Sequence, residues 1–138
     1  MFPGASLSTI LVVDDDPDTR GLFRFVLEQA GHQVVEAANG EAALDLITPN
    51  PLPDLITTDL TMPLMTGEGL IERLRSEPRT SSIPIVVVSS NPFAARALES
   101  SGLVEAVVIK PFDPIALEAC IRAVATTRRT AAMDQQRM

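Results

Sequence analysis

The sequence predicts an α/β domain in which a parallel five-stranded sheet carries helices on both faces. Five short apolar runs recur along the 138 residues, and several consist almost wholly of β-branched residues, a composition typical of strands buried on both faces. Stretches with apolar residues at helical spacing separate the runs. Since these connections are too long for hairpins, successive strands are predicted to run parallel, with a helix in each crossover.

The five predicted strands are all short. They span Ile10–Val13, Gln33–Ala37, Leu55–Thr58, Ile83–Val88 and Ala106–Ile109.

Four of the predicted helices begin with a capping side chain followed by proline or glycine. The side-chain oxygen of Asp or Asn accepts hydrogen bonds from free amides, and a proline at the first helical position has no N–H to leave unsatisfied. The four pairs are Asp16-Pro17, Asn39-Gly40, Asn91-Pro92 and Asp113-Pro114. The remaining helix is predicted from the spacing of Leu70 and Leu74.

Length and composition predict one domain, because a chain of 138 residues can bury a single core but scarcely two. We assign the domain to residues 8–127 and flexible tails to residues 1–7 and 128–138. The net charge of −7 opposes non-specific binding to nucleic acid. The chain has no apolar run of the roughly 18 residues that a membrane span needs, and no signal peptide, so the expected location is the cytoplasm.

Reactive side chains follow four of the five apolar runs. In an open parallel sheet, sites form outside the carboxyl ends of the strands, so these side chains are expected to converge. They are Asp14, Asp15 and Asp16 after the first run, Asp59 after the third, Ser89 after the fourth and Lys110 after the fifth. Asp16 is assigned to helix capping, because Pro17 follows it.

Three converging carboxylates would repel one another unless a cation were present. Mg²⁺ prefers oxygen ligands and is commonly held by one or two carboxylates together with a phosphate, which fits Asp14, Asp15 and Asp59. A carboxylate can attack phosphorus when cationic groups and hydrogen-bond donors stabilise the transferring phosphoryl group. Lys110 would supply a compact cation and Ser89 a hydroxyl donor, so the residues predict a phosphoryl-transfer site.

Together, the order and spacing of these residues resemble the receiver domains of two-component signalling over residues 8–124. Four blocks carry the resemblance. They are Ile-Leu-Val-Val-Asp-Asp-Asp-Pro at 10–17, Asp-Leu-Ile-Thr-Thr-Asp-Leu-Thr-Met-Pro at 54–63 with Gly67, Ile-Pro-Ile-Val-Val-Val-Ser-Ser at 83–90, and Lys-Pro-Phe at 110–112.

The resemblance implies a doubly wound, CheY-like (flavodoxin-like) fold with strand order 2-1-3-4-5 and a cis peptide bond before Pro111. It implies that Asp59 is the phosphoacceptor. Asp14 and Asp15 would position Mg²⁺ with Asp59, and the backbone carbonyl of Thr61 would be a further ligand. Ser89 would be the switch hydroxyl, and Lys110 would contact the phosphoryl group.

A signalling role follows from the same resemblance. The chain would be a phosphoacceptor, with no enzymatic activity beyond self-catalysed phosphotransfer and loss of the phosphoryl group. A histidine kinase or a histidine phosphotransfer protein would be the donor. The output would pass to a downstream protein, through phosphorylation-dependent dimerisation, or onward along a relay.

Three positions depart from the common family pattern. Val107 stands where the family often has an aromatic switch residue, and Thr66 where many members have Asp before the turn glycine. Ser90 follows Ser89 where Ala is common.

Two other functions stay open on the residues alone. Haloacid-dehalogenase-like phosphatases also form an aspartyl phosphate, and the first Asp run superficially supplies their Asp-x-Asp motif. Against this, Asp18 stands four positions after Asp14 where Thr is expected, and no acidic pair follows Lys110. The second is a receiver-like interaction module that works without phosphate, which the intact site disfavours and Val107 leaves open.

Overall fold

The computed structural model describes residues 8–49 and 51–137, with side chains as far as residue 127, and these form five strands that alternate with five helices. The strands are β1 (Thr9–Val13), β2 (Gln33–Ala37), β3 (Leu55–Thr58), β4 (Ile85–Ser89) and β5 (Ala106–Ile109). The helices are α1 (Pro17–Gln29), α2 (Gly40–Ile47), α3 (Gly67–Ser76), α4 (Pro92–Ser101) and α5 (Pro114–Arg137).

All neighbouring strands pair in parallel, in the order β2-β1-β3-β4-β5. The predicted fold class and strand order are therefore confirmed. The Lys110–Pro111 peptide bond is cis, as the resemblance implied.

Two separate cores cover the two faces of the sheet, because successive side chains of a strand point to opposite faces. Leu11 and Val13 of β1 pack on the face that α2, α3 and α4 cover. Ile10 and Val12 pack on the other face, against residues of α1 and α5. Burial on both faces explains why the strands read as continuous apolar runs.

Side-chain caps begin the helices as predicted. Asp16 accepts hydrogen bonds from the amides of Asp18 and Thr19, and Asn39 and Asn91 each accept one at the start of their helix. The Asp113 carboxylate accepts from the amide of Ile115. Helix α3 begins at a cap as well, because the hydroxyl of Thr66 accepts from the amide of Gly69 at 3.1 Å.

Two strands have boundaries that differ from the prediction. Strand β4 runs from Ile85 to Ser89, because the amide of Ile83 donates to Thr80 in a turn while Ser89 still pairs with Ile109 of β5. Strand β1 begins one residue earlier than predicted, because Thr9 pairs with Gln33.

Helix α5 continues to Arg137, through most of the segment predicted to be a carboxyl-terminal tail. Residues 1–7 and 138 lie outside the described part of the chain, as do the side chains of residues 128–137, so the flexibility of both tails stays a prediction. Among the described helices, none combines the length and the apolar character that crossing a bilayer requires.

Candidate functional site at the carboxyl edge of the sheet

The sheet register brings Asp14 and Asp59 to the same edge. Val13 pairs with Thr58, so the residue that follows each of them leaves its strand at the same level. The amide of Asp59 donates to the carbonyl of Val13 at 3.0 Å, and this hydrogen bond extends the ladder one step beyond the strands.

Asp14, Asp15 and Asp59 form a compact acidic cluster. One carboxylate oxygen of each lies within 4.8 Å of the others. Asp14 is buried, Asp59 is partly buried and Asp15 is exposed. At this separation and an effective dielectric constant of about 20, two unit charges repel by about 3.5 kcal/mol. Such a cluster needs positive charge to stay together.

Lys110 supplies part of that charge. Its Nζ atom lies 2.9 Å from Oδ2 of Asp14 and 3.1 Å from Oδ2 of Asp59. Burial lowers the pKa of Lys110, but hydrogen bonds and charge interactions with the two carboxylates outweigh burial and raise the pKa above its ordinary value. The ammonium group is therefore charged, and two negative charges of the cluster remain uncompensated.

Neighbouring groups hold the main chain and carboxylate of Asp59 in place. Oδ1 accepts a hydrogen bond from the amide of Leu60 at 2.7 Å, and the carbonyl oxygen accepts from the hydroxyl of Thr58 at 2.8 Å. Gly67 lies directly against this carbonyl, because a Cβ at that position would stand 2.1 Å from the Asp59 oxygen. Only glycine fits there without a shift of the Asp59 backbone.

Every polar atom of Asp14 has a partner. Its amide donates to Ala37 at 3.1 Å, and its carbonyl accepts from Nη1 of Arg20 at 2.7 Å. Oδ1 accepts from the amide of Asp16 at 2.9 Å, while Oδ2 accepts from Lys110. A buried carboxylate is tolerated when it is paired in this way.

Ser89 and Thr61 are predicted site residues whose side chains take no part in the hydrogen bonds that join Asp14, Asp59 and Lys110. Ser89 is buried at the end of β4, where its hydroxyl accepts from the amide of Asn91 and its carbonyl from the amide of Lys110. Thr61 is exposed, two residues beyond Asp59. Their roles at the site stay predictions.

Asp16 is a capping residue, as predicted. A hydrogen bond from the Thr19 hydroxyl is the main reason that the pKa of Asp16 lies below its ordinary value. The other two carboxylates of the run, Asp14 and Asp15, face the cluster with Asp59.

The three carboxylates fit a hard divalent cation. They are oxygen donors, they lie close together, and they keep two negative charges after Lys110 is counted. Mg²⁺ is bound in proteins by such carboxylates together with waters and phosphate.

The sequence analysis did not identify Arg20 or Thr58 as neighbours of the cluster. It named Gly67, but not the contact of Gly67 with the Asp59 carbonyl. Arg20 lies one helical turn after the cap Asp16, so its side chain can reach back to the strand end. That spacing was the available signal. The contacts of Thr58 and Gly67 depend on the path of the loop after β3, which periodicity does not reveal.

Comparison with known proteins gives one consistent result. The family model of the response regulator receiver domain matches residues 10–122. An uncharacterized 14.6 kDa protein of Leptolyngbya boryana is 41% identical over 110 residues, which cover 78% of this chain and 82% of that protein.

Other relatives are longer or structurally characterised. The phosphate regulon transcriptional regulatory protein PhoB of Escherichia coli is 37% identical over 83% of this chain, and the match covers 50% of PhoB. This chain spans about half the length or less of several other curated relatives as well. The chemotaxis response regulator CheY4 of Vibrio cholerae superposes with a TM-score of 0.78 at 27% identity, covering 86% of this chain and 99% of that one.

Proposed function

This chain belongs to the response regulator receiver domain family, and on that premise we propose that it accepts a phosphoryl group on Asp59. Receivers are the signalling phosphoacceptors of two-component systems rather than ordinary enzymes. We assign the receiver to residues 8–127, with Asp59, Ser89 and Lys110 as the residues of phosphoryl chemistry.

A single observation carries the proposal: Lys110 bridges Asp59 and Asp14 at 3.1 and 2.9 Å. The acceptor carboxylate is thereby held beside both a fixed cation and the acidic pair. Phosphoryl transfer depends chiefly on such positioning and on charge stabilisation, since the protein does little covalent chemistry.

In the proposed step, one Asp59 carboxylate oxygen attacks the phosphorus of a donor phosphohistidine. A new oxygen–phosphorus bond forms while the nitrogen–phosphorus bond breaks, and its electron pair stays on the imidazole. Lys110 balances charge that develops on the phosphoryl oxygens. The Ser89 hydroxyl accepts from Asn91 and retains a hydrogen that it can donate to one of those oxygens.

Asp14, Asp15 and Asp59, with the carbonyl of Thr61, would hold Mg²⁺. When bound, this ion would neutralise phosphoryl oxygens and complete the charge balance of the cluster. The chain's own part is to keep the three carboxylates together, and Lys110 lowers their mutual repulsion.

Phosphorylation makes the site more negative by about one charge, since an acyl phosphate carries close to −2. That change would draw Ser89 and Lys110 toward the phosphoryl oxygens and shift the population toward a second conformation of the face formed by α4, β5 and α5. A histidine kinase or phosphotransfer protein would supply the phosphoryl group. A downstream protein, or a second copy of the chain, would read the altered face.

Intact-mass measurement tests the proposal directly. The protein is incubated with Mg²⁺ and acetyl phosphate, as wild type and as the variants Asp59→Asn, Asp14→Asn and Asp16→Asn. We expect the wild type to gain one phosphoryl group and Asp59→Asn to gain none. Asp14→Asn should react far more slowly, because it loses half of the acidic pair.

Asp16→Asn is the matched control, since it changes a neighbouring aspartate that caps α1 and Asn caps equally well. It should label like the wild type. Labelling that survives Asp59→Asn and disappears in Asp14→Asn would instead support an aspartyl phosphatase. A wild type that no phosphodonor or kinase can label would support an interaction module that works without phosphate.

A further inference from the structure

Arg20 connects three elements beside the acidic cluster. It lies in α1, its Nη1 donates to the carbonyl of Asp14 at 2.7 Å, and its Nε donates to Oε1 of Glu36 in β2 at 3.0 Å. Its side chain is only 18% exposed. A guanidinium group presents its donors in a rigid plane, so holding two acceptors at once fixes its orientation.

The Asp14 carbonyl belongs to the peptide unit that leads into Asp15. Because the peptide bond is planar, fixing its oxygen also fixes the direction in which the Asp15 backbone departs. Asp15 is the exposed member of the cluster, so packing cannot orient its side chain. The hydrogen bond from Arg20 therefore limits where the Asp15 carboxylate can lie.

Glu36 also holds the Arg20 guanidinium, through Nε. Its second oxygen, Oε2, accepts from Nε of Arg24 at 2.7 Å. A hydrogen bond from Arg24, followed by one from Arg20, keeps the pKa of Glu36 below its ordinary value. Arg24 also pairs with Glu28, four residues along α1. Arg24 thus shares Glu36 with Arg20, but the hydrogen bond to the Asp14 carbonyl comes from Arg20.

We infer that Arg20 is a positioning residue for the cation site, and that it orients Asp15 by anchoring the Asp14–Asp15 peptide. The inference rests on the proposed function, because the cation is the one that phosphoryl transfer would use. Arg20 itself carries a positive charge, so its electrostatic effect on a nearby cation is repulsive. Its positioning effect favours cation binding. If repulsion dominates, removal of the Arg20 side chain should tighten cation binding; if positioning dominates, removal should weaken it.

The test measures Mn²⁺ binding, with free Mn²⁺ counted by electron paramagnetic resonance. Wild type is compared with Arg20→Met, Arg20→Lys and the matched control Arg24→Met, which loses the same Glu36 partner. Positioning predicts that Arg20→Met weakens Mn²⁺ binding by about tenfold, the usual effect of losing a group that orients a metal ligand. Arg20→Lys should also bind Mn²⁺ more weakly than the wild type, because an ammonium group lacks the planar arrangement of donors that holds two acceptors at once. Arg24→Met should bind within about twofold of the wild type.

Urea unfolding of the metal-free variants shows whether both methionine variants retain the fold. Tighter or unchanged Mn²⁺ binding in Arg20→Met would overturn the inference. Full recovery in Arg20→Lys would also overturn it, since an ammonium group without the planar arrangement of donors would then suffice. Equal weakening in Arg24→Met would also overturn it. If the wild type neither binds Mn²⁺ nor becomes labelled on Asp59, the proposed function itself fails; if only the Arg20 effect is missing, the proposed function stands.

Discussion

The strands that bear the acidic cluster are packed differently from the strand that bears Lys110. All four residues of β3, and all but the first of β1, are buried, whereas all four residues of β5 are only half-buried. Helix α4 beside β5 buries only Ala95 and leaves Phe93 88% exposed. The carboxylates of the cluster thus follow the more deeply buried strands, and Lys110 follows the less buried one.

This difference indicates where a signal can travel. Local opening costs least where few apolar contacts are buried, so a charge change at Asp59 is expected to move Lys110 and β5 before it moves β1 or β3. The start of β5 is held, because Glu105 accepts from the amide of Ile85 at 2.6 Å and pairs with Arg75. The displacement is therefore expected at the carboxyl end of β5, next to the site.

We expect the largest effect from a substitution that crowds the Asp59 backbone, directly after β3. Gly67→Ala would place a methyl group against the Asp59 carbonyl, so we expect it to lower the free energy of unfolding by about 3 kcal/mol and to abolish labelling by acetyl phosphate. Circular dichroism in urea suits the first measurement, because the chain has neither Trp nor Tyr. Gly21→Ala is the control: it meets open space within α1 and should stabilise by about 0.5 to 1 kcal/mol. If Gly67→Ala were as stable as the wild type and fully labelled, this would contradict the close approach of Gly67 to the Asp59 carbonyl.

A matched pair of core substitutions measures the packing difference itself. Val87 of β4 and Val107 of β5 are cross-strand partners, but Val87 is fully buried and Val107 is not. Val87→Ala should cost about 2 to 3 kcal/mol, from two lost methyl groups and the cavity they leave. Val107→Ala should cost about half as much. If both variants lost the same free energy of unfolding in urea, this would contradict the looser packing of β5.

Leu64, in the loop between β3 and α3, has a strained backbone, and relieving the strain should be stabilising. Leu64 has φ of 69° and is 78% exposed, a conformation that costs an L-residue about 1 to 2 kcal/mol. Leu64→Gly should raise the free energy of unfolding by about 0.5 to 1 kcal/mol, because glycine's greater chain entropy in the unfolded state offsets part of the gain. Leu103→Gly, at an exposed leucine with ordinary φ, should be destabilising, and a loss in both variants would argue against strain at Leu64.

The smallest effect is expected from the partly buried ion pairs of Glu36 beside the cluster. The pKa of Glu36 is lowered in the folded protein, so its stabilising contribution is complete above the unfolded value of 4.5 and is lost as the pH falls through the folded value. Glu36→Gln should therefore be slightly less stable than the wild type at pH 7, and the difference should shrink below pH 4.5. Urea midpoints at pH 7, 5 and 3.5 measure this, and a difference independent of pH would mean that charge is not the cause.

Much of the architecture could be predicted because each element carries a local signal. The Asp-Pro and Asn-Pro pairs mark helix starts whose capping bonds span two or three residues, and the β-branched runs mark strands buried on both faces. The boundary of β4 was less accurate, because the turn at Thr80 and Ile83 and the pairing of Ser89 with Ile109 depend on neighbours in space.

The sequence by itself determined the alternation of strands and helices, the capping residues, and the convergence of Asp14, Asp15, Asp59 and Lys110. These follow from periodicity and from the rule that parallel strands end at one edge. Only the tertiary structure decided that Arg20 anchors the Asp14 peptide and that the Asp59 backbone leaves no room for a side chain at position 67. It also decided that β5 is less buried than β1 and β3. Each of these depends on distances between elements far apart in the chain, which the order of residues along it does not specify.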